Sequence, residues 1–217
     1  METGLTMRYF TLDWYHSLHR YEDDAPIPDR TVWPRYRLHL EEMQSFLPAD
    51  LLALARLPGV DDGLVVFVRH DLARRVLSLT LRAGDSQMGY YDLVLHYEGA
   101  DISPNHELTL ARVARTTVND RRHESDVAFH ELDMAADGWI EHRILFHPGL
   151  WFSIRCVALR WVRLPRPNRR FSKRFDRFSG GPVITTLPQY KPDVRPVIGP
   201  QRLFSACPGG VAGVLFD

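Results

Sequence analysis

Ile140-Glu141-His142-Arg143-Ile144-Leu145-Phe146-His147-Pro148-Gly149-Leu150-Trp151-Phe152-Ser153-Ile154-Arg155-Cys156 is the stretch on which the fold turns. Ile140, His142, Ile144 and Phe146 fall at every second position, His147-Pro148-Gly149 supplies a turn, and Phe152, Ile154, Cys156 and Ala158 return with the same alternation. Successive strand residues point to opposite faces, so a period of two on both sides of a turn reads as a hairpin with one buried face. Upstream, Tyr91, Leu93, Leu95 and Tyr97 alternate with Asp92, Val94 and His96, and Leu77, Leu79 and Leu81 alternate with Ser78, Thr80 and Arg82. The β region begins at Leu64–Val68, and Leu108–Val118 and Asp126–Met134 read as further, less regular strands.

Before Leu64 the period is helical. Thr11 precedes Leu12-Asp13-Trp14-Tyr15 and Leu18, an N-cap followed by a first-turn acid and an apolar stripe, which predicts a helix over about Leu12–Tyr21. Trp33, Tyr36, Leu40, Met43 and Leu47 recur at spacings of three and four, with Pro34 in the first turn where its missing N–H is not needed. Pro48 interrupts this helix, and Asp50–Leu57 forms a further turn or two before Pro58-Gly59. Helices followed by an uninterrupted run of strands predict an α+β fold, with N-terminal helices packed on one face of a mostly antiparallel sheet.

The composition breaks near Pro165. Residues 160–217 hold 11 Arg and Lys, three Asp, no Glu, no His and eight of the 15 prolines, whereas the first 159 residues hold 16 Arg, 24 acids, no Lys and all ten histidines. A net charge of zero therefore joins a body of −8 to a tail of +8. Residues 7–164 are expected to form the α+β domain. Residues 165–217 are expected to be an irregular, basic, Pro/Gly-rich tail, a composition that disorder or out-of-frame translation of a GC-rich gene would equally produce. No apolar run reaches the roughly 18 residues that span a bilayer, and Met1–Thr6 lacks a secretory pattern, so the expected location is the cytoplasm. Two cysteines, Cys156 and Cys207, give neither a disulfide framework nor metal knuckles.

Met7-Arg8-Tyr9-Phe10-Thr11, followed by Trp14-Tyr15, resembles the start of a bacterial family of uncharacterised proteins that begin Met-Lys/Arg-Tyr-Phe-Thr-x-x-Trp-Tyr. Glu141-His142-Arg143-Ile144-Leu145-Phe146 resembles a Glu-His-Arg-x-Leu-Phe hairpin of that family, and is similar to hairpins of small immunity-like proteins from bacterial competition systems. The resemblance spans Met7 to about Trp161. It implies a cytoplasmic α+β domain without an established reaction, and a non-enzymatic protein-binding role of the immunity type.

Four adjacent His/Glu pairs invite a metal or acid–base reading: His106-Glu107, His123-Glu124, His130-Glu131 and Glu141-His142. A metal-dependent hydrolase would draw on His123, His130, Glu131 and His142. Adjacent strand residues face opposite ways, however, and His130 and His142 share stripes with apolar neighbours, which favours satisfied, partly buried histidines. No nucleophile elbow, phosphate loop or dinucleotide fingerprint is present, so no cofactor is indicated. In the tail, Arg170, Phe171, Lys173, Arg174 and Arg177 combine cations and rings suited to nucleic acid or an anionic lipid surface, a lesser alternative. The leading expectation is capture of a basic protein by the acidic body, through Trp14, Tyr15, Glu22, Asp23 and Asp24.

Overall fold

The computed structural model describes residues 7–19, 27–116, 126–147 and 149–168. Helix α1 (Leu12–Leu18) is capped as its sequence predicts, the Thr11 hydroxyl accepting from Trp14 N–H at 3.3 Å. Helix α2 (Val32–Glu42) tightens into a 3₁₀ turn at Met43–Ser45, and α3 (Ala49–Ala55) follows Pro48. Val32, Tyr36 and Leu40 form the buried stripe of α2, while Trp33 is turned partly outward.

Seven strands follow: β1 (Leu64–Asp71), β2 (Val76–Asp85), β3 (Gly89–Glu98), β4 (Val127–Met134), β5 (Ile140–Phe146), β6 (Leu150–Cys156) and β7 (Ala158–Arg166). They make two antiparallel sheets, ordered β1-β2-β3-β7 and β4-β5-β6. The α+β class stands, with N-terminal helices ahead of antiparallel strands. The run of strands is not uninterrupted: the predicted strand at Leu108–Val118 is helix α4 (Pro104–Thr116). Ser103 and Pro104 sit at its start, and Leu110, Val113 and Ala114 are buried at helical spacing.

Val157 alone separates β6 from β7, so the chain passes from one sheet to the other in a single residue. Opposite that corner, Leu64 of β1 bridges Asp126, and Val127 N–H donates to Gly63 O at 2.8 Å. Both seam strands carry a register irregularity, at Val65/Phe67 and Val127/Phe129, as corners between sheets commonly do. The two sheets enclose a shared core. Leu77, Leu79 and Leu81 pair across β2 and β3 with Tyr97, Leu95 and Leu93, and His142, Ile144, Phe152 and Ile154 come from the other sheet.

The outer face of the three-stranded sheet is also covered. Phe10 stacks on Phe129 of β4 at 4.9 Å, and α4 packs against β6 and β1. Every residue of the central strand β5 is consequently buried, including Glu141 and Arg143. The sheet extends to Arg166, two residues past the compositional border at Leu164. Arg166 pairs with Asp92, and Ala158–Arg166 runs in continuous register with Glu98–Tyr90. The irregular tail expected over 165–217 is therefore corrected at Pro165 and Arg166, which belong to β7, and its remainder from 169 lies outside the described residues.

Candidate functional site

Burying Glu131, Asp133, Glu141 and Arg143 on one sheet face demands partners, because an uncompensated buried charge costs several kcal/mol. Glu131 accepts backbone N–H bonds from Arg8 (2.9 Å), Tyr9 (2.7 Å) and Phe10 (2.7 Å), pinning the N-terminal strap to β4. Asp133 takes Arg8 Nη1 and His39 Nε2, each at 3.1 Å, and lies 3.5 Å from Arg143 Nη1. Arg143 also pairs with Glu141 and lies 3.7 Å from Glu131. These charges are consumed internally, so the cluster holds the helical layer onto the sheet.

The other face of the same strands carries a different chain of polar groups. Tyr97 Oη lies 2.7 Å from His142 Nδ1, and His142 Nε2 lies 3.2 Å from His130 Nδ1. Burial pushes the Tyr97 hydroxyl well above its ordinary range, holds His142 far below 6.5 with His130 and Arg143 adding to the effect, and brings His130 down to about 4. Both imidazoles are therefore neutral at physiological pH. Tyr97 is completely buried, and among the described residues His142 is its hydrogen-bond partner. Leaving its O–H without an acceptor would cost about 1–3 kcal/mol, so Tyr97 donates to Nδ1 of His142. The proton of His142 then sits on Nε2 and is donated to Nδ1 of His130, which leaves the His130 proton on Nε2.

That nitrogen points nearly opposite to Nδ1, and His130 lines a cleft of about 220 Å³ beside Trp33, Tyr36, Arg37, Leu40, Arg56 and Asp61. A second cleft, of about 310 Å³, lies between the strap, α1 and the start of α2. Trp14 forms one wall, its indole N–H donating to Asp29 O at 2.9 Å, and Ile27 is 79% exposed at the rim. Hydrogen bonds from the Thr31 hydroxyl (2.7 Å) and N–H (2.8 Å) hold the Asp29 carboxyl below its usual range, with Arg35 adding to them.

The residues singled out from sequence are thus distributed unequally. Trp14 lines the larger of the two clefts; Tyr15 is buried, with its hydroxyl 2.7 Å from His147 Nδ1. Glu22, Asp23 and Asp24 lie outside the described residues, as do His123 and the tail set Arg170, Phe171, Lys173, Arg174 and Arg177. His130 and His142 are brought together, but the Glu131 carboxylate lies on the opposite sheet face and is occupied by the strap. Among the described residues no three His, Cys, Asp or Glu side chains are grouped to hold a metal ion. Cys156 is buried, its thiol pushed up to about 12 by desolvation, which leaves it a small apolar side chain. Tyr97 was legible as a strand residue but not as the third member of the histidine chain, because that role depends on which strands face each other. No family model, curated protein or solved structure matches this chain.

Proposed function

We propose that this protein is a non-enzymatic protein-binding module of the immunity type, which captures a basic partner at the cleft between the N-terminal strap, α1 and α2. The observation that carries this reading is the cleft itself: about 310 Å³, walled by Tyr9 and Trp14, with exposed Ile27 at its edge and the Asp29 carboxylate beside it. Aromatic and apolar anchors next to a recess are the usual seat of binding energy, and surrounding charge governs encounter. The acidic residues Glu22, Asp23 and Asp24 precede Ile27 in sequence and belong to the proposal as the steering charge. Tyr15, being buried, supports α1 rather than contacting the partner.

The test is affinity capture from extracts of the source cells with the full-length chain, followed by binding kinetics with the purified partner. One basic protein should be retained. Ile27→Asp should raise its dissociation rate about tenfold or more, and replacing Glu22, Asp23 and Asp24 with Asn should slow association about tenfold at low salt with little effect at high salt. Retention of no protein, or equal binding by all three chains, would remove this reading.

A further inference from the structure

The cleft at His130 is distinct from the one assigned to protein capture, and its chemistry is set from inside the core. We propose that it is a binding site for a small carboxylate with an apolar body, whose carboxylate oxygen accepts the Nε2–H of His130 and whose charge is met by Arg37 and Arg56. Three features support it. His130 is 7% exposed and lines the cleft, and the hydrogen-bond direction running from Tyr97 through His142 makes its remaining nitrogen a donor. Tyr36 lines the same cleft, and its oxygen already accepts the Leu132 N–H at 2.8 Å, so it has a proton to give and no need of another donor. Trp33, Leu40, Ala55, Leu57 and Pro58 form an apolar wall, and the two guanidiniums outnumber the one lining carboxylate, Asp61.

The volume limits the ligand. At about 220 Å³ the cleft lies below the 300–1,000 Å³ typical of drug-sized sites, so a single ring or short chain bearing one carboxylate is the matching size. A neutral N–H at the inner end favours an acceptor over a cation. Phosphate, with its higher charge, would call for the several backbone N–H groups or fixed cations of a phosphate cradle, whereas here Arg37 and Arg56 are both exposed.

Nitrogen-15 NMR of the full-length protein decides the first step and ligand titration the second. His130 and His142 should each show the Nε2–H tautomer at pH 7; an Nδ1–H signal from His130 would overturn the proposal. Titration with phenylacetate and benzoate should shift the His130 Nε2 resonance saturably, with a dissociation constant of about 1 mM, as expected for ligands of roughly ten heavy atoms. Arg37→Gln, a surface change, should weaken binding about threefold to tenfold without moving the melting temperature, and His130→Phe should weaken it about tenfold or more. Equal binding of the methyl esters, binding of inorganic phosphate in place of the carboxylates, or no response at His130 would each overturn it. Loss of protein capture in Ile27→Asp leaves this outcome unaffected, so the two sites are judged separately.

Discussion

Removing the Glu131 carboxylate takes away the acceptor of three consecutive backbone N–H groups, those of Arg8, Tyr9 and Phe10, and leaves Arg143 with one fewer counter-charge. Unsatisfied buried donors cost about 1–3 kcal/mol each, and breaking a buried ionic contact costs about 3–5 kcal/mol in all. Glu131→Ala should therefore destabilise the protein by about 3–5 kcal/mol, and Glu131→Gln, which keeps an acceptor oxygen, by clearly less. Urea unfolding with an unchanged slope checks this; equal losses for the two variants would show that charge and not the acceptor oxygen matters. Part of this was readable in advance. The alternation of β4 and β5 placed Glu131 and Arg143 on the face opposite His130 and His142, but nothing in the alternation said that the strap and α2 would bury that face. A charged stripe reads as solvated until a second layer is known. The His130–His142 contact was illegible for a related reason: His130 is paired with Ile144 and His142 with Leu132, so the two rings meet diagonally, and register is fixed by the whole hairpin and its bulge.

At the scale of elements, α4 shows where periodicity misleads. Leu108 and Leu110, with Thr109 between them, mimic a strand, and Val113 and Val118 add β-branched residues. The competing signal was Ser103-Pro104 with Glu107 in the first turn, an N-terminal signature that outweighs a two-residue alternation. The helix resolves the pattern by exposing Leu108 and burying Leu110, Val113 and Ala114. The Ser103 hydroxyl accepts from His106 N–H at 3.4 Å, a long contact, so Ser103→Ala should cost only about 0.5–1 kcal/mol by thermal unfolding. Leu110→Ala, which opens a cavity under the same helix, should cost about 2–5 kcal/mol. The reverse ranking would mean that α4 is held by its cap and not by its packing on β6 and β1. The hairpin β5–β6 was legible because its turn and its alternation agree. Its continuation was not: Ala158 keeps the alternation, yet Val157 carries the chain into the other sheet.

For the whole molecule, the compositional border and the structural border differ because charge sorting and strand pairing obey different constraints. Arg160, Arg163 and Arg166 belong by composition to the basic segment, but Arg160 pairs with Glu98 at 3.2 Å, Arg163 lies over the Tyr91 ring at 4.2 Å and Arg166 pairs with Asp92. The core that β7 helps to close encloses two neutral histidines, and this makes stability depend on pH with a definite sign. An unfolded histidine takes its proton near pH 6.5, whereas folded His130 takes it near 4, so between those values the unfolded chain binds more protons. The stabilising preference for neutral His130 is complete above about pH 6.5 and is lost as pH falls toward 4, on the order of 3 kcal/mol in all. His142 contributes with the same sign. Asp61, at the cleft mouth, works in the opposite sense: desolvation within the cleft, with Asp62 beside it, pushes its carboxyl up to about 6, so acid favours its folded form. Burial holds the Tyr97 and Tyr36 hydroxyls above the ordinary tyrosine range, far outside this window. Comparing wild type with His130→Phe cancels Asp61. Urea unfolding between pH 7 and 4 should give a steeper loss for wild type, with the two curves converging as pH falls. Parallel curves would mean that His130 takes up its proton at the same pH in the folded and unfolded chains, and the assignment of an imidazole held neutral by burial would fall with that result.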